Sequence, residues 1–343
     1  MSAPRGFASD NSATIHPEVL AAIARANAGH AYGYGHDDYS RAVEARFAEH
    51  FGARARAFLV FNGTAANVLC LRAACRPWEA VICTDTAHLN VDECGAPEAI
   101  AGVKLTPVPG EDGKLTPAVL ERAYARVGDE HAVQPGVISI SQCTELGTVY
   151  GLDELAAVAE FAHARGLVLH VDGARLSNAA AALGVPLREL TGAVGVDLLS
   201  FGGTKNGLLA GEAVVFLEPR LAEGFEYLRK QSLQLASKMR FLAAQFDALL
   251  SDDLWLRCAS HANAMAARLA GRLRGLAGLT ITRPVQANAV FATLPAAARH
   301  RLQQQFAFYV WDEACGEVRW MCAWDTTEQD VDAFAAAVRA ALA

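Results

Sequence analysis

The 343-residue chain has no apolar run near the ~18–20 residues that span a bilayer, so no transmembrane helix is expected. Its first residues, MSAPRGFASDNSATIHPE, lack the apolar core of a secretory signal. There is no long basic run, and 37 acidic against 30 basic side chains leave a formal charge of −7. That balance argues against nucleic acid as a partner. Eight cysteines include no C-x-x-C pair, and the ten histidines include no H-E-x-x-H, so no metal site is expected. Neither an internal repeat nor a low-complexity linker interrupts the chain. These absences point to a globular protein of the cytoplasm with reduced, packed thiols, meeting neither membrane nor nucleic acid. The length suits two domains, or one large domain with an appendage.

What the sequence has instead is alternation. Ser40 is expected to cap the helix RAVEARFAEHF, which Gly52 stops. Short apolar runs at 57–61, 80–85, 103–109, 137–141, 167–172, 197–201 and 213–218 read as strands. Between them lie helical patterns at 64–74, about 91–101, 117–128 and 152–166, with Thr116 and Pro117 opening the third. Short, wholly apolar strands between helices imply a mostly parallel sheet covered on both faces. Beyond residue 218 a long helix to about 250 and a second at 254–274 precede strands at 279–284, 287–294, 306–311 and 317–324, then a final helix. The expected fold class is therefore α/β, with a large domain over 41–250, a smaller C-terminal α+β domain over 251–343, and an N-terminal segment over 1–40. Ligands of such sheets sit at the carboxyl ends of the strands.

Several chemistry-bearing residues fall at those ends. Lys205 stands in Ser200-Phe201-Gly202-Gly203-Thr204-Lys205-Asn206-Gly207, directly after an apolar strand. A desolvated lysine there loses its proton and attacks carbonyls. The same octapeptide also fits a solvated turn. Asp172 ends the strand LVLHVD, where a buried carboxylate needs a cation or several donors. A pyridinium nitrogen is one such cation. Arg175 fits either a ligand-binding arginine or an ion pair with Asp172. Asn62-Gly63-Thr64-Ala65-Ala66 is a strand-to-helix turn whose free N–H groups suit a phosphate, or an ordinary helix cap. His88 could stack on a flat ring and act as a base near neutral pH, or stand idle.

The G-T-A-A-N turn (63–67), the H-V-D-G-A-R-L-x-N stretch from His170 to Asn178, and G-G-T-K-N-G (202–207) occur in this order, with Lys205 33 residues beyond Asp172. This pattern resembles the threonine aldolases, pyridoxal-phosphate enzymes of fold type I that cleave β-hydroxy-α-amino acids. The resemblance runs from Ser9-Asp10 to the final helix. It implies that Lys205 holds the cofactor, Asp172 pairs with its pyridine nitrogen, and His88 stacks on its ring and serves as a candidate base. It implies a phosphate cup of Gly63, Thr64 and the Ala65 amide, with Thr204 beside the lysine. Arg175, Arg319 and Ser9 would surround the substrate carboxylate, Arg175 also reaching the cofactor. Lys230 and Lys238 would reach the phosphate of a neighbouring subunit, in a homodimer or homotetramer with shared sites. The chain departs from the family at Ser141-Gln142-Cys143-Thr144-Glu145-Leu146-Gly147, where a histidine is missing and Glu145 is the nearest acid–base group. It departs again at Trp324-Asp325, where the family often has a histidine, and at QLASK, where a glycine-rich loop is usual. Bulkier substrates such as phenylserine fit a sub-branch. A β-eliminating lyase or aminotransferase of the same fold type is the nearest alternative, followed by a non-catalytic protein that keeps the fold.

Overall fold

The computed structural model describes residues 5–343. A seven-stranded sheet is built from β1 (Arg56–Val60), β2 (Glu79–Thr84), β3 (Lys104–Val108), β4 (Gln134–Ser141), β5 (Val168–Gly173), β6 (Leu198–Gly202) and β7 (Glu212–Phe216), in the order β1-β7-β6-β5-β4-β2-β3. The pairs among β2 to β6 are parallel, and β7 runs antiparallel to both β6 and β1. Alternation along the central strands divides the work. Leu169, Val171, Leu199 and Phe201 enter the largest apolar cluster, with Phe47, Leu155 and Phe246. His170, Asp172 and Ser200 point the other way, towards the helix Gly63–Ala74. The side of the sheet that carries polar groups is thus set by the period-two pattern of two buried strands.

A second, wholly antiparallel sheet has the order β10-β11-β9-β8, with β8 (Thr280–Ile281), β9 (Ala289–Thr293), β10 (Tyr309–Asp312) and β11 (Glu317–Met321). The helices Leu254–Leu273 and Glu328–Leu342 supply side chains to its core, in which Trp320 and Phe334 are fully buried. The N-terminal segment joins that core. Phe7 stacks on Phe334 at 4.4 Å, and its backbone N–H and C=O bond Ala307 O and Met321 N. Ser9 and Asp10 follow directly, so this anchoring delivers them to the edge of the large sheet.

Several elements differ from the pattern expected. Asp37, rather than Ser40, caps the helix Asp38–Phe51, accepting Ser40 N–H at 2.8 Å. The long helix expected over 219–250 is broken into Phe225–Gln231 and Arg240–Leu250. Between them Leu233 adopts φ +64°, and Ser237 O accepts the Tyr34 N–H, a tertiary bond that competes with helix. Lys238 therefore sits in a connecting loop, and Lys230 in the last turn of the first helix. The helix expected near 91–101 is a turn of helix at His88–Val91 and a single wide turn at Pro97–Ala101, with Gly95 at φ +69° between them. Helices at Pro17–Ala26, Leu176–Leu183 and Ala296–Gln303 were not expected. All eight cysteines are free. No helix is long and apolar enough to cross a membrane among the described residues.

Phe7→Ala should cost about 3–5 kcal/mol, the usual range for emptying a buried aromatic site. Denaturant unfolding measures the loss; a midpoint equal to the parent's would show that the N-terminal segment is not part of the core.

Candidate active site

A cavity of about 470 Å³ opens where the parallel strands end. Asp172 comes from the end of β5, Lys205 from the turn after β6, His88 from the loop after β2, and Gly63 and Thr64 from the turn after β1. The N-terminal segment contributes Ser9, and β11 contributes Arg319. Arg175 and Thr204 also line it. Lys230 and Lys238 do not; both are exposed, with Lys230 Nζ lying over the Tyr34 ring.

Asp172 is buried, and burial opposes its charge more than any other single influence. The Ala174 N–H, the positive groups of His88 and Lys205, and the Asn67 amide together outweigh it, so the carboxyl lies below the ordinary aspartate value. Ala174 N–H donates to Oδ1 at 3.0 Å, and Asn67 Nδ2 to Oδ2 at 2.8 Å. Asn67 Nδ2 also meets Glu93 Oε1 at 2.8 Å, and His88 Nδ1–H donates to that same oxygen at 2.9 Å. The bond to Glu93 raises the His88 pKa. Ligand atoms of His88, Glu93 and Asp172 lie within 4.8 Å of one another, close enough to hold a cation. Asn67 already bridges the two carboxylates.

Behind Asp172 on the same strand, His170 is fully buried, with Ser139 Oγ and Ser200 Oγ at its two ring nitrogens (2.9 and 3.0 Å). Burial lowers it to about 4, so it is neutral and adds no charge under Asp172 at ordinary pH.

The turn bearing Lys205 is packed tightly. A Cβ at Gly202 would fall 2.5 Å from the Ala174 carbonyl oxygen, and one at Gly203 would fall 2.8 Å from that of Gly211. Only glycine lets the turn fold back this closely. Glu212 Oε2 accepts Gly203 N–H at 2.9 Å, and Gly211 N–H donates to Thr204 Oγ1 at 3.1 Å. Burial pushes Glu212 up to about 7. Burial, reinforced by the Arg175 charge, lowers the Lys205 amine below the ordinary lysine value. Lys205 is half-buried and lines this cavity, a place that does not suit a solvated turn lysine.

The two arginines are differently disposed. Arg175 neither pairs with Asp172 nor stands free: its Nε and Nη2 hold Asp10 in a two-pronged bond at 2.7 and 2.8 Å. Asp10 is 2% exposed and also accepts Asn288 Nδ2. Asp10 occupies Nε and one N–H of Nη2, and the guanidinium keeps its remaining N–H groups on the cavity wall. Arg319 lies 4.8 Å over the Trp311 ring, its Nε buried without a hydrogen-bond partner. Burial, and then Arg175, bring its pKa down to about 10.

At the strand-to-helix turn, Asn62 Oδ1 caps the helix by accepting Ala65 N–H at 2.9 Å. The Ala65 amide expected in a phosphate cup is thus already satisfied, leaving Gly63, Thr64 and the helix end. Asp10, Asn67, Glu93, Ser200 and Glu212 were missed as site residues. Asn67 stood inside the G-T-A-A-N motif and Asp10 beside Ser9, but nothing local marked the others.

Comparison with known proteins agrees with this geometry. The family model for beta-eliminating lyases matches residues 6–297. A low specificity L-threonine aldolase of a Pseudomonas sp. strain is 45% identical over 98% of this chain and 97% of its own. That of Pseudomonas aeruginosa is 46% identical over 97% and 96%. The solved structure of Leishmania major threonine aldolase superposes with a TM-score of 0.93 at 32% identity, covering 99% of this chain and 100% of that one. By its sequence, its strand order and the lysine–aspartate pair at its sheet edge, the chain belongs to the low-specificity L-threonine aldolase family, pyridoxal-phosphate-dependent lyases of fold type I.

Proposed function

We propose that this chain cleaves the Cα–Cβ bond of L-threonine, allo-threonine or bulkier β-hydroxy-α-amino acids such as phenylserine, giving glycine and an aldehyde. The observation that carries this reading is one cavity lined by a half-buried amine, a buried carboxylate held by N–H donors and a guanidinium whose Nε is buried without a partner: Lys205, Asp172 and Arg319. The donor set fits pyridoxal phosphate. Asp172 supplies a negative charge for a protonated ring nitrogen, His88 a flat face, Lys205 an amine for the aldehyde carbon, and the Gly63–Thr64 helix end donors for the phosphate. When bound, the cofactor supplies an electron sink for a bond broken at Cα.

The chain's own groups do the rest. Lys205 holds a readily lost proton because burial disfavours its charged form. Arg319 grips the substrate carboxylate by charge-assisted bonds, which relieves its orphaned Nε and selects the Cα bond to be cleaved. Arg175, fixed by Asp10, contributes charge to that wall, and Ser9 a hydroxyl. Trp311 shapes the side on which a bulky substituent would lie.

The same reading takes the protein to be a cytoplasmic homodimer or homotetramer, each subunit divided near residues 40 and 250. Tyr32, Tyr34 and Leu233 are 83%, 50% and 84% exposed, and Phe61, on the cavity wall, is 41% exposed. Bonds from Tyr34 N to Ser237 O and from Phe61 N to Gln234 Oε1 draw them together. An apolar patch beside exposed Lys230 and Lys238 suits a second copy of this chain.

Incubating the holoenzyme with threonine, allo-threonine and phenylserine should release glycine and the matching aldehyde in equal amounts. Ammonia and a keto acid instead would favour the eliminating or transaminating alternative. Borohydride should fix the cofactor on Lys205, and a label mapped to another lysine would overturn that assignment. Asp172→Asn should keep some cofactor and lose about 10²-fold or more in kcat, a typical cost for removing one stabilising group from a buried reaction site. Near-parental turnover would make Asp172 structural. In sedimentation the active species should be larger than a single chain. Mixing Lys238→Ala with Lys205→Ala chains should restore activity if subunits complete each other's sites; a fully active monomer contradicts the sharing.

A further inference from the structure

The loop after β4 carries a carboxylate without an assigned task. Glu145 lies on the cavity wall with Asp172 and His88. Its Oε1 accepts Ser141 Oγ–H at 2.6 Å and the His88 backbone N–H at 2.8 Å. The residue is half-buried, and its Oε2 is buried without a hydrogen-bond partner. Leaving a buried polar atom unpaired costs about 1–3 kcal/mol, which a ligand hydroxyl at that oxygen would relieve. Thr144, beside it in the chain, is turned away: its hydroxyl lies 2.7 Å from Thr148 Oγ1, and the residue is buried.

His88 has its Nδ1–H held by Glu93 and, on the reading above, its ring set against the flat face of the cofactor, so its task is already assigned. Asp172 is pinned by Asn67 and Ala174, and its low pKa makes it a weak base. At Glu145 burial outweighs the hydrogen bonds from Ser141 and His88, raising the carboxyl above the ordinary glutamate value and making its carboxylate a stronger base. The titratable groups facing it are His88 and Cys83 from the β2 side, Asp172 from β5 and Tyr150 from its own segment. Cys83 is pushed up to about 12 and Tyr150 above its usual value, so both stay neutral in the working range.

We propose that Glu145 is the catalytic base of this chain, receiving the substrate's β-hydroxyl proton on Oε2 as the Cα–Cβ bond breaks. The proposal rests on the aldolase reading above. The O–H proton passes to the carboxylate and the O–H pair becomes the second carbon–oxygen bond of the aldehyde. The Cα–Cβ pair remains with the amino acid, whose Cα takes up a proton to leave glycine. One proton is removed and one returned, and nothing is oxidised or reduced.

The test compares holoenzymes of the parent, Glu145→Gln and Glu145→Asp. Glu145→Gln should retain the cofactor's visible absorbance, glycine affinity and exchange of the glycine α-hydrogen with solvent, none of which needs a β-hydroxyl base. Cleavage of threonine should fall by about 10²–10⁴-fold, the usual worth of a positioned base. In the parent, kcat/KM should decline as pH falls through the raised glutamate pKa, and that limb should vanish in Glu145→Gln. Glu145→Asp should recover part of the rate. In the cofactor-free protein, isotope-edited infrared titration should show a glutamate carboxyl of raised pKa that Glu145→Gln removes. Parental cleavage by Glu145→Gln overturns the proposal alone. So does a variant losing glycine exchange and cofactor in proportion to cleavage, which would mark a structural prop. A parent that releases no glycine from any β-hydroxy amino acid overturns the aldolase reading and this proposal with it.

Discussion

Asp172 carries a negative charge at the buried end of β5, and much of the site is arranged around keeping it there. Desolvation alone would leave the carboxyl protonated. The Ala174 N–H and Asn67 amide bond it directly, while the charges of His88 and Lys205 attract it from across the cavity. His170, one step back on the same face, stays neutral between two serine hydroxyls. The same low-dielectric setting that endangers the Asp172 charge lowers the Lys205 pKa, so one burial serves both an anion with donors and a cation without enough of them.

The site is also a meeting of distant segments. Asp10 arrives because Phe7 is locked into the core of the small sheet, and it fixes Arg175 with a two-pronged bond. Arg319 arrives from that small sheet's own β11. Both residues that would meet the substrate carboxylate from this side therefore depend on how the small sheet seats against the large one. A change remote from the cavity, in the packing of Phe7, reaches the cavity through Ser9 and Asp10.

The strands of the large sheet were legible because wholly apolar runs between helical periods allow few other readings, and the strand-end rule then pointed to Lys205, Asp172, His88 and the 62–64 turn. The 219–250 region was misread because its composition is helical, while its break carries Leu233 at φ +64° and a backbone bond from Tyr34 N–H to Ser237 O, some 200 residues apart in sequence. The Asp10–Arg175 bond was invisible for the same reason: a sequence shows Arg175 three residues from Asp172 but not which carboxylate it meets. Glu93, Glu212 and Ser200 have no local signature, since their roles come from what faces them across the sheet edge. The cap and the phosphate cup were both open readings of the 62–66 turn, and only the folded geometry shows Asn62 turned back onto the Ala65 amide.

Residue-specific ¹³C labelling of aspartate carboxyls in the cofactor-free protein, followed by NMR from neutral pH downwards, reports the Asp172 charge itself, with Asp172→Asn assigning the resonance. If its donors and cationic neighbours outweigh burial, the Asp172 carboxyl stays ionised below the ordinary aspartate pKa of about 3.9. A carboxyl that takes up its proton well above that value would contradict the arrangement on which the rest of the site depends.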